Sequence, residues 1–162
     1  MPHDDINATR APASNSPQAA ARLVALALIA NGEIKPQEWS ALHELHAREE
    51  LGLAEQDWHG VLRELCQELL ACTNEAGNCL VDAHTLRRWL CDIDDPALQQ
   101  RVMRLAAAVI DADGHVDAGE SFVLRGMLAQ WELPQQAQSD VEPLLYGLDF
   151  QVLPRRAAAA PA

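Results

Sequence analysis

Between residues 16 and 148 the apolar positions recur every three or four residues, and the recurrence breaks at Gly, Pro, Asp and Asn. That spacing is the signature of amphipathic helices with one inward stripe, not of strands, whose faces alternate every second residue. Ser16 as N-cap and Pro17 at the first helical position predict a helix through AARLVALALIA that ends at Gly32. Its apolar surface is too broad for a surface helix, so it belongs at the centre. A second helix begins at Pro36, carries Trp39, Leu42 and Leu45, and stops at Gly52. A third covers Glu55 to Cys72, with Trp58, Val61, Leu62, Leu65 and Leu69 on its inward face, and is followed by the loop TNEAGN. Asp82 caps a short fourth helix through Leu86, Trp89 and Leu90, and Asp95-Pro96 opens a fifth with Val102, Leu105, Ala106, Val109 and Ile110. The sixth carries Phe122, Val123, Leu124, Met127, Leu128 and Trp131, and a last, shorter one starts at Pro134 and is disturbed at Pro143. The pattern predicts an all-α, single-domain bundle of about seven helices.

Composition supports this reading: leucine and alanine carry most of the apolar load while aromatics are only 4%, so strand-favouring residues are scarce. Residues 1–15 and 149–162 are rich in Pro, Ala and polar residues without periodicity, which marks them as disordered tails around a domain at 16–148. With 24 acidic against 12 basic residues and no basic stripe, nucleic acid is excluded as a partner. The N-terminus lacks the basic-then-apolar pattern of a secretory signal, and the apolar run Leu23 to Ala30 is too short to cross a bilayer. The expectation is a cytoplasmic protein with no direct membrane insertion. Cys66, Cys72, Cys79 and Cys91 lack CxxC spacing and read as reduced thiols that are either packed as small hydrophobes or incidental, with no functional role.

An internal match changes the picture. The first helix, its turn and the second helix lie over the fifth, its turn and the sixth without a gap, at a constant offset of 82 residues. Leu23 falls on Leu105, Ala30 on Ala112, Gly32 on Gly114, Ile34 on Val116, Glu38 on Glu120, Leu42 on Leu124 and Leu51 on Leu133. Two copies predict two pseudo-symmetric helix-turn-helix repeats within one bundle. The shared residues have a folding explanation. The glycine suits the left-handed residue after a helix end, Ile34 or Val116 closes an apolar contact behind it, and the glutamate suits the third position of the next helix. Asp117 with Glu120 reads as a capping box.

Folding does not explain Asp111 and Asp113, which put negative charge at a helix C-terminus, where the macrodipole disfavours it. In the first copy these places hold Ile29 and Asn31, and Lys35 stands where the second has Asp117. Against the calcium-loop pattern, Asp111, Asp113, Gly114, Val116, Asp117 and Glu120 match, but Val109 occupies the first ligand position. A weak site for Ca2+ or another divalent cation on Asp111, Asp113, Asp117 and Glu120 is the expectation, against the simpler reading of a capped turn with solvated carboxylates.

The two stretches ALIANGEIKPQE (27–38) and AVIDADGHVDAGE (108–120) resemble the tellurite-resistance TerB family and its TerB-like relatives, over roughly residues 17–147. The resemblance implies an all-α fold of about seven helices with internal pseudo-symmetry. It also implies a role in resistance to tellurite and other chemical or phage stress, membrane-associated complexes with other proteins as partners, and divalent-cation binding at acidic residues. Two further readings stand beside it. A calcium- or metal-responsive sensor would open the helices around the second turn. A small metal-dependent hydrolase would use His43 and His46, although the zinc-protease motif needs its second His at position 47, which is alanine. No nucleophile elbow, phosphate-binding loop or dinucleotide fingerprint is present, so the chain reads as a non-enzyme.

Overall fold

A computed structural model describes residues 13–30, 34–71 and 81–146. The tails at 1–12 and 147–162, the turn residues 31–33 including Gly32, and the TNEAGN loop with Cys72 and Cys79 lie outside the described residues. Among the described residues there are eight helices and no strand: α1 (Pro17–Ile29), α2 (Pro36–Glu44), α3 (Ala47–Glu50), α4 (Glu55–Ala71), α5 (Ala83–Cys91), α6 (Pro96–Asp111), α7 (Ala118–Gln130) and α8 (Gln135–Tyr146). None of them is long and apolar enough to cross a membrane.

The all-α bundle expected from periodicity is what forms, and α1 is its centre. Ser16 Oγ accepts from the Ala19 N–H at 3.1 Å, Pro17 follows, and every residue from Leu23 to Ala30 is buried. A helix apolar on all sides needs neighbours all round, and α1 packs against α4, α5, α6 and α7. Arg22, the one charged side chain of α1, lies over the Trp89 ring at 4.5 Å from the centroid. Elsewhere α2 packs on α6, α8 on α6 and α7, and α5 on α7. At the last contact a Cβ on Gly126 would stand 2.6 Å from Leu86 Cδ2, so a larger residue there would require the Leu86 side chain to shift. Trp131 Nε1 donates to the Leu90 carbonyl at 3.0 Å and fixes the end of α7 against α5.

Three local expectations are corrected. The second helix does not run from Pro36 to Gly52 but breaks at His46, which adopts the left-handed conformation (φ 51°, ψ 41°) and makes α2 and α3 separate helices. In a continuous helix Ala47 would sit roughly 140° around from Leu42. With the break, Leu42, Ala47, Leu51 and Leu53 are all buried. The last helix carries Pro143 internally and continues to Tyr146. Asn15, assigned to the N-terminal tail, is instead tied down: its N–H donates to the Asp92 carbonyl at 2.7 Å and its side-chain oxygen accepts from the Asp94 and Asp95 N–H groups at 2.9 and 3.1 Å. Cys66 and Cys91 are exposed free thiols, not packed core residues.

Candidate functional site

The two matched turns meet at one cluster of charged side chains, and its parts follow from helix starts. On the second turn, Asp117 is the N-cap of α7: its Oδ1 accepts from the Glu120 N–H at 3.2 Å, while Glu120 Oε2 accepts from the Asp117 N–H at 3.0 Å. This is the reciprocal capping box that the spacing predicted. On the first turn, Glu38 Oε2 accepts from the Lys35 N–H at 3.5 Å, but a lysine side chain has no acceptor, so only half of the box forms. Each capping bond holds one glutamate oxygen at its own helix start, and the other oxygen is left to face the junction.

Both glutamates are completely buried, at 0% exposure. Glu38 Oε1 and Glu120 Oε1 have no hydrogen-bond donor, which two buried carboxylates of one fold rarely lack. Lys35 fills the space they face. Its Nζ lies 2.6 Å from Asp113 Oδ2, 3.7 Å from Glu38 Oε1, 3.8 Å from Asp117 Oδ2 and 3.9 Å from Glu120 Oε1. Asp113 also accepts the His115 N–H at 2.9 Å, and the chain reverses at Gly114 with φ 72°, the left-handed residue expected there. One ammonium from the first turn is thereby shared among four carboxyl groups, three of them from the second.

The electrostatics follow from burial and this sharing. Burial pushes the Glu120 carboxyl up to about 8, against the pull of the Asp117 N–H, and pushes Glu38 up as well. The two carboxyl groups interact directly, so a single shared proton is the arrangement that satisfies both at neutral pH. The hydrogen bond to Asp113 raises Lys35 and keeps it charged. For Asp113, burial works against ionisation, but the bonds from Lys35 and the His115 N–H outweigh it and hold the group below the ordinary carboxylate range.

Of the four residues expected to bind a cation, the structure brings together Asp113, Asp117 and Glu120, and leaves Asp111 exposed at the end of α6 without a side-chain hydrogen bond among the described residues. Glu38 and Lys35 complete the cluster, although the sequence marks Glu38 as a helix start and a doubtful ligand of the first turn, and Lys35 as a departure from the pattern. The signal was available: at the offset of 82 residues Lys35 falls on Asp117, opposite charges at matched places. A divalent ion does not fit the site as built. Calcium needs oxygens at about 2.3–2.6 Å, whereas an ammonium already stands at the focus and three of the four oxygens lie 3.7 to 3.9 Å from it. Among the described residues no three His, Cys, Asp or Glu side chains are disposed to hold a metal together. His43 and His46 line a separate surface cleft of about 400 Å³ with Trp39, Trp58 and His59. In comparisons with known proteins, no family model matches the chain, and no curated protein or solved structure shows significant similarity to it.

Proposed function

We propose that the protein is a TerB-like interaction module of two pseudo-symmetric helix-turn-helix repeats, acting with other proteins in resistance to tellurite or related chemical and phage stress. The observation that supports this reading is the convergence of the matched glutamates Glu38 and Glu120, fully buried, at one junction between the turns. Buried carboxyl groups cost stability unless paired. A pair placed at the matched position of each repeat therefore speaks for an architecture organised around the junction of the doubled motif, whose two occurrences carry the family resemblance. A large charge excess on the remaining surface and two exposed apolar side chains flanking the turns, Ile34 and Phe122, suit contact with a partner protein. The weak cation site of the second turn is not retained in this proposal, because Lys35 stands where the ion would be. Membrane-associated complexes enter only as partners.

The test is genetic. Deleting the gene is expected to lower growth on tellurite, under toxic metal ions or under phage challenge, with recovery from a plasmid-borne copy. Unchanged tolerance to all three challenges would remove the stress role.

A further inference from the structure

We propose that Lys35 is a tethered cation: its ammonium does at the junction what a dissociable metal ion would otherwise do, so that the two turns are held together without any metal. Three observations converge on this. The ammonium is within 4 Å of four carboxyl groups contributed by both turns, and its closest contact, 2.6 Å to Asp113, joins residues 78 positions apart. Glu38 Oε1 and Glu120 Oε1 are buried, accept from no N–H group and face the same ammonium at 3.7 and 3.9 Å, and with one proton shared between them the pair still presents negative charge to it. Third, the oxygens stand at distances that suit one hydrogen-bonded ammonium with looser ionic neighbours, not a contracted metal shell.

Its covalent attachment has a consequence. A free ion must be bound from solution and is lost to chelators or competition, whereas Lys35, one residue before the start of α2, is covalently held at the junction at a fixed effective concentration. Lys35 also reaches the cage from the matched place of its own principal neighbours' turn, since Asp117 is its counterpart at the offset of 82 residues. The junction thus exchanges one carboxylate of a symmetric pair for the cation that the remaining carboxylates require. The inference uses the site described above but not the stress role, and it is tested on purified protein alone.

Thermal melting of metal-stripped protein decides it. The natural chain should melt at the same temperature with chelator, calcium or manganese. Lys35→Ala removes the three outer methylenes and the ammonium, and should melt lower. n-Propylammonium, which replaces that missing fragment, should restore part of the loss, while sodium chloride at equal ionic strength and 1-propanol should not. Adding Asp113→Asn and Glu120→Gln to Lys35→Ala should abolish the rescue. If Lys35→Ala does not fold, recovery of folding by n-propylammonium is the same readout, and Lys35→Arg, which keeps the charge, should fold. The proposal is overturned if the natural chain gains stability from a divalent ion through Asp113 and Glu120. It is equally overturned if Lys35→Ala loses nothing or if no cation restores it.

Discussion

The two turns start from matched sequences and end in different roles. The second is self-sufficient: Asp117 and Glu120 cap each other, Gly114 makes the reversal, and Val116 is buried at 7% exposure behind it. At the first, Lys35 cannot close the capping box, and Ile34, the counterpart of Val116, is 45% exposed. What the first turn lacks as a helix start it supplies as a charge, because the side chain at the N-cap place reaches across to Asp113. At these matched sequence positions one turn secures its own local fold, while the other supplies the side chain that makes the contact between them.

The largest expected effect comes from the junction's proton. Burial raises Glu120 to about 8 and raises Glu38 too, so between about 4.5 and 8 the folded chain retains a proton that the unfolded chain has released. Stability from this pair is therefore complete below about 4.5 and is lost as pH rises toward 8, by an amount on the order of a few kcal/mol. Lys35, Asp113 and Asp117 face the pair, and Asp113, held low, acts in the opposite window: its contribution is lost only as pH falls below the ordinary carboxylate range. Glu120→Gln copies the protonated form. In urea unfolding across pH 5 to 8 its stability should stay flatter than that of the natural chain and exceed it at the alkaline end. A parallel decline in both proteins would place the proton elsewhere.

Next in size is the apolar contact behind each turn. Val116→Ala should cost about 1.5–2.5 kcal/mol because the side chain is buried, and Ile34→Ala about 0.5 kcal/mol or less because it is not. Equal losses in thermal or chemical denaturation would mean that the two turns are packed alike, and the contrast drawn above would fail.

How far the sequence could lead is visible in the same residues. The helices, their proline starts and the N-caps at Ser16, Asp82, Asp95 and Asp117 were legible because capping and periodicity are local, settled within four residues. The pairing of Glu38 with Glu120 was half legible: the constant offset identified them as counterparts, but nothing local says that counterparts touch. Lys35 was read as a broken ligand pattern, since its partner Asp113 lies 78 residues away and only the packed bundle joins them. Asp111 was included among the expected ligands by loop spacing, yet the spacing of a calcium loop presupposes that loop's backbone, and here α6 continues to Asp111 and leaves it exposed.

The break at His46 was not legible at all, because no glycine or proline marks it, and it supplies a small effect that discriminates by its sign. Its counterpart at the offset of 82 residues is Leu128, inside the uninterrupted α7 and half-buried. A left-handed non-glycine residue carries roughly 1–2 kcal/mol of strain, and glycine at the same place avoids it at an entropic cost of about 0.5–1 kcal/mol. His46→Gly should therefore stabilise the protein by about 1 kcal/mol or less, since the exposed imidazole gives up little burial. Leu128→Gly should destabilise it by at least about 1 kcal/mol, from helix propensity alone, before any lost packing. The same substitution at matched positions is thus expected to act with opposite signs. If both variants unfold at lower denaturant than the natural chain, the break is held by the His46 side chain, and the departure of α2 and α3 from the continuous α7 comes from that imidazole and not from the burial of Ala47 and Leu51.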